Sequence, residues 1–146
     1  VDLPVLVVIA ASFALGNAMT VTGGAEWVAV SLLGLFGPLT PWLALALVYL
    51  LTAAFTEAIT NNAAAVLMFP IALAVSEQLG VNFLPFAVAV MFAASASFIT
   101  PLGYQTNLMV YGPGRYQFMD YVRLGFPLSL LVGSTAIGLI PFVWGF

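Results

Sequence analysis

Two short polar stretches interrupt an otherwise apolar chain, and between them they hold most of the side chains able to bind a small ion. The first is Thr60-Asn61-Asn62, preceded by Thr56-Glu57; the second runs from Gly103 to Asn107, with Thr100 just before it and Thr106 within it. Pro101 removes a backbone donor and Gly103 permits dihedrals outside the helical range, so a helix reaching this point has to break. A helix that breaks inside a membrane leaves free N–H groups at one end and free carbonyls at the other. The N–H end attracts an anion and the carbonyl end can hold a cation. Thr60, Asn61, Asn62, Thr100, Thr106 and Asn107 add neutral donors and acceptors, and the carbonyls of Thr56, Ile59 and Gly103 offer oxygens to a hard monovalent cation. The same residues have a plainer reading, as helix caps and turn formers. Glu57 is the one acid set between apolar runs beside a polar tip. It is a candidate for cation or proton coupling, or else it lies at the headgroup level or satisfies a neighbouring helix end.

The setting of these stretches excludes most other chemistry. Charged residues make up 5% of the 146 residues and hydrophobic ones 64%, against roughly 25% charged in a soluble domain. The seven charges are Asp2, Glu26, Glu57, Glu77, Arg115, Asp120 and Arg123, which leaves charge-free runs over Trp27–Thr56, Gln78–Gly114 and Leu124–Phe146. Each exceeds the roughly 20 residues of a spanning helix. With no cysteine and no histidine, thiolate metal sites, imidazole bases and haem ligands are missing, so neither an enzyme nor a bound cofactor is expected. Two arginines cannot neutralise a nucleic acid backbone, and nucleic acid is excluded as a partner. The expected surroundings are membrane lipid. Val1 is not an initiator methionine and Asp2 stands where a signal peptide would be basic, which predicts a fragment or processed product.

The elements that must position the polar stretches follow from punctuation. Leu3–Thr22 predicts a first spanning helix ended by Gly23-Gly24, and Ala25–Gly37 a short interfacial or re-entrant one. After the turn Gly37-Pro38-Leu39-Thr40-Pro41, the pattern predicts a helix over Trp42–Phe55, a polar tip, and an alanine-rich second arm to about Leu79, kinked at Pro70. Leu84–Phe98 reads as a helix whose Ser95 and Ser97 serve close packing. A break at Ile99–Asn107 follows, then a short helix Leu108–Tyr111 capped by Thr106 or Asn107, a loop to Asp120, and a last span over Val122–Trp144. Both arginines lie within Tyr111–Arg123, which puts that loop in the cytoplasm. The fold class is therefore all-α and polytopic, one membrane-embedded domain over residues 1–146, with a helical hairpin and a broken helix.

At ASASFITPLGYQTNLMV, Ala94–Val110, the sequence resembles the sodium-coupled divalent-anion symporter family, which includes sulfate and dicarboxylate carriers. The family's pattern is met by Ala94, Ser95, Phe98, Pro101, Leu102, Gly103, Asn107, Met109 and Val110. TEAITNNAA is similar to the family's Ser-Asn-Thr hairpin tip. The resemblance implies that Thr60, Asn61, Asn62, Thr106 and Asn107 contact the substrate. It also implies that Asn61 and the backbone oxygens of Thr56, Ile59 and Gly103 hold sodium, the coupling ion. It covers only the second of two inverted repeats, and so implies a missing amino-terminal repeat, a homodimeric full-length protein in the plasma (inner) membrane, and elevator-like transport. Tyr104-Gln105-Thr106 replaces the Thr-Pro-Pro of dicarboxylate carriers, and YQTNLMVYGPG is more similar to sulfate-type permeases. The expected function is cation-coupled transport of a small divalent anion, sulfate ahead of dicarboxylate. The alternatives are a proton-coupled oxyanion efflux permease and a structural or channel-forming membrane subunit.

Overall fold

The computed structural model describes residues 3–36 and 39–146, and among these the secondary structure is helical throughout. The helices are α1 (Leu3–Val21), α2 (Gly24–Phe36), α3 (Pro41–Ala58), α4 (Asn61–Leu79), α5 (Leu84–Ser95), α6 (Gln105–Tyr111) and α7 (Phe118–Trp144). Gly37 and Pro38 of the expected turn lie outside the described residues, as do Val1 and Asp2. α3, α4 and α7 are each long and apolar enough to cross a membrane.

Local chemistry sets the ends. Thr40 Oγ1 accepts from Leu43 N at 3.4 Å, with Pro41 at the first helical position of α3 where its missing N–H costs nothing. Thr60 repeats the device at the start of α4, accepting from Ala63 N at 3.4 Å, and Gly80 ends that helix in the left-handed region at φ 65°. α4 runs unbroken through Pro70.

Boundaries of α3, α5 and α7 differ from the sequence expectation. α3 runs a turn further than Phe55, so Thr56 and Glu57 are helical residues and the tip between the arms is only Ile59-Thr60. α5 ends at Ser95, three residues before the expected Phe98. Its would-be last turn has given up helical bonds for partners on α3: Thr56 Oγ1 donates to Ala94 O at 2.8 Å, and the amides beyond bond to Glu57. α7 starts four residues earlier than Val122, because Gln117 and Asp120 form a reciprocal capping box in which Gln117 N donates to Asp120 Oδ2 at 2.8 Å.

The core lies where α3, α4 and α5 meet, filled by Leu45, Val48, Met68, Ala72, Val75, Phe86 and Val90. Ala89 and Ala93 of α5 are fully buried, so the backbones approach closely there. The outer faces stay apolar, with Phe13, Leu124, Leu130, Leu131 and Phe142 exposed. A water-soluble protein would not leave so much apolar surface open; a membrane protein presents it to lipid or to other helices.

Gly125 of α7 packs against the unwound segment. It is buried, and a Cβ there would run into the Phe98 carbonyl and lie 2.8 Å from Ile99 N. α7 thus presses its backbone directly onto the peptide that follows α5.

Candidate functional site

Residues 96–104 form no regular helix, and their polar groups are held by three neighbours. The Glu57 carboxylate is the first. One of its oxygens, Oε1, accepts from Phe98 N at 2.9 Å and Ile99 N at 3.0 Å; the other, Oε2, accepts from Thr100 N at 2.7 Å. Thr100 Oγ1 returns a bond to the Glu57 carbonyl at 2.8 Å and accepts from Gly103 N at 3.4 Å. Irregular backbone at membrane depth needs partners of this kind to exist at all. Of the readings open for Glu57, satisfying a neighbouring helix end is the one this geometry matches.

Asn107 is the second neighbour. It lies inside α6, not at its cap: Tyr104 is the capping residue, without a side-chain bond, and α6 begins at Gln105, three residues before Leu108. The Asn107 side chain turns back, its Nδ2 donating to Ser97 O at 3.2 Å and to Thr100 O at 3.4 Å, while Tyr121 OH donates to Asn107 O at 2.9 Å. Thr106 is exposed on the same short helix.

The end of α3 is the third. Gly103 is buried against it so closely that a Cβ would collide with the Thr56 carbonyl oxygen and with Ser97 Oγ. Only glycine allows this approach. The expected cation residues Thr56 and Gly103 are therefore brought together. Among the described residues, no hydrogen-bond donor reaches the carbonyls of Thr56, Ile59 or Gly103. Uncompensated carbonyls at unwound helix ends are suitable ligands for a monovalent cation.

At the tip, Thr60 and Asn62 are exposed and Asn61 is half-buried, with Asn61 Oδ1 accepting from Asn62 N at 2.9 Å. Thr60 is both a cap and a tip residue. No hydrogen bond links Asn61 or Asn62 to Thr106 or Asn107 among the described residues. The side chains that sequence reasoning undervalued are Ser97, assigned to packing, and Tyr121, not singled out. Glu57 was visible in principle: once Pro101 and Gly103 break the helix, the preceding amides need an acceptor, and it is the nearest acid in the hairpin.

Comparison with known proteins adds an independent line. Residues 1–146 match the family described as citrate transporter. An uncharacterised transporter of Synechocystis is 45% identical over 141 residues, covering 97% of this chain and 23% of that protein. A probable sodium/sulfate cotransporter of Chlamydomonas reinhardtii is 40% identical over 129 residues, covering 86% of this chain and 14% of its own length. Solute carrier family 13 member 1 of Mus musculus is 27% identical over 140 residues, covering 96% of this chain and 23% of that protein. The chain thus spans less than a quarter of the length of these relatives. It is an integral, multi-pass membrane protein.

Proposed function

This chain belongs to the citrate transporter family, a family of transporters and not of enzymes, and from that premise we propose that it is one repeat of a secondary transporter that moves a small divalent anion with sodium. The observation that carries the reading is the meeting of two broken backbones, where Gly103 lies directly against the undonated Thr56 carbonyl at the end of α3. The carbonyls of Thr56, Ile59 and Gly103 are the sodium ligands, joined by Asn61. Thr60, Asn61, Asn62, Thr106 and Asn107 line the anion side, facing a partner repeat supplied by the rest of a longer protein that acts as a homodimer in the plasma membrane. Sulfate is the favoured substrate over dicarboxylates. Support comes from relatives named sodium/sulfate cotransporters and from Tyr104-Gln105-Thr106, which takes the place of a proline pair beside the site.

The test is uptake of labelled sulfate by the full-length protein in proteoliposomes. Uptake driven by an inward sodium gradient, and outcompeted poorly by succinate, is expected; sodium-independent uptake or a dicarboxylate preference overturns the proposal. In the same assay Asn61→Ala weakens sulfate binding about tenfold to a hundredfold. The range follows from one lost hydrogen bond to a charged ligand, about 1.5–3 kcal/mol, at about 1.4 kcal/mol per decade. Sodium dependence weakens with it, because coupled ligands lose affinity reciprocally. Asn107→Ala does the same and also lowers stability, since its amide holds Ser97 and Thr100. Wild-type sulfate affinity in Asn61→Ala would return that residue to a capping role.

Topology follows from Arg115 and Arg123. The turn between α6 and α7 is cytoplasmic on the positive-inside rule. A cysteine at Pro113, exposed in that turn, is expected to resist an impermeant thiol reagent in intact cells and to react in inverted vesicles. Labelling from outside reverses the orientation.

A further inference from the structure

The Ser97 side chain has no evident reason to be polar. It is 3% exposed, and its hydroxyl oxygen is buried without a hydrogen-bond partner. A buried hydroxyl without a partner is destabilising, and alanine occupies the neighbouring positions 93, 94 and 96 without that cost. Its place is also unusually well defined. The Ser97 carbonyl accepts from Asn107 Nδ2 at 3.2 Å, which ties the residue to α6. The hydroxyl lies against Gly103 on the side where a Cβ would strike both it and the Thr56 carbonyl. The undonated Thr56 carbonyl oxygen and the unpartnered Ser97 hydroxyl oxygen thus meet at the same point beside Gly103.

Resting on the sodium-coupled reading above, we propose that Ser97 Oγ is a further ligand of the cation, a side-chain oxygen added to the backbone set. A serine hydroxyl has two lone pairs and a hydrogen that rotates away, so it coordinates a hard cation without any change in charge. With sodium bound, the hydroxyl oxygen meets the positive charge and its desolvation is compensated. The glycine at 103 and the serine at 97 are then two parts of one feature: the absence of a Cβ at one position makes room for the oxygen of the other.

The experiment measures sodium half-saturation of sulfate uptake by the full-length protein, first for the wild type. A wild type without sodium dependence defeats the functional reading itself, and the ligand assignment falls with it. Given a sodium-dependent wild type, Ser97→Ala is expected to raise the sodium half-saturation roughly tenfold while leaving sulfate affinity at saturating sodium close to wild type. Ser97→Cys, nearly the same in shape but with a soft sulfur that binds sodium poorly, is expected to behave like alanine and also covers poor expression of Ala. Unchanged half-saturation in both variants overturns the assignment. A rise confined to alanine also overturns it, because that pattern reports packing; so does a loss of sulfate affinity that saturating sodium fails to restore.

Discussion

Replacing Glu57 with alanine in the full-length protein is expected to abolish sulfate uptake and to lower thermal stability by the largest amount of any single side-chain change in this chain. Three main-chain amides, those of Phe98, Ile99 and Thr100, find their acceptor in this one carboxylate. Leaving a buried donor unsatisfied costs about 1–3 kcal/mol. The segment is half-buried, so water recovers part of that, and a net loss of about 3–5 kcal/mol is the expected scale. The segment would then rewind toward α5 or collapse against α7, and in either case Gly103 leaves the end of α3. Glu57→Gln separates two explanations. A glutamine keeps one acceptor oxygen but turns an NH2 group toward the remaining amide, so it should be destabilised to an intermediate degree and transport slowly. Glu57→Asp is too short by a methylene to span both sides and should resemble alanine. The check is thermal unfolding in detergent together with uptake. Wild-type melting of Glu57→Ala would show that the three amides have other partners, and wild-type melting combined with lost sodium coupling would restore the coupling role considered from sequence.

The second large effect belongs to Gly103→Ala. One methyl group is usually a small change, but here it has no space, because one of the atoms it meets is the backbone oxygen of Thr56 and cannot rotate away. Overpacking costs about 1–3 kcal/mol, and the strain falls on the proposed cation ligands. Sodium-driven uptake is expected to fall at least tenfold, with sodium half-saturation raised well beyond the modest loss of stability. Combining it with Ser97→Ala removes the hydroxyl clash and not the carbonyl clash. The double variant should therefore recover some melting temperature without recovering sodium affinity. Full activity of Gly103→Ala would mean that the end of α3 and the broken segment can separate at no cost, and the shared site would be lost with it.

Composition and punctuation were sufficient for the all-helical class, for the hairpin and for the break at Pro101-Gly103, and they singled out the residues proposed to meet an ion. These are local properties: apolar run length, a missing amide, a missing Cβ and short polar side chains are the same in any tertiary setting. The start of α7 is set by a local capping box between Gln117 and Asp120, but the ends of α3 and α5 were not legible in the sequence. A helix end is a competition among partners for a few amides and carbonyls, and the winning partner can be distant in sequence. Thr56 reaches Ala94, Glu57 reaches three amides some forty positions on, and Asn107 turns back to Ser97. Glu57 therefore carried two meanings in the sequence, free carboxylate or helix-end acceptor, and only the packing of α3 on α5 assigned one of them. Ser97 is the clearest instance. As a residue among alanines it reads as a small packing side chain, and it becomes a candidate ligand only when the fold buries its hydroxyl without a partner and sets it beside a glycine and an undonated carbonyl.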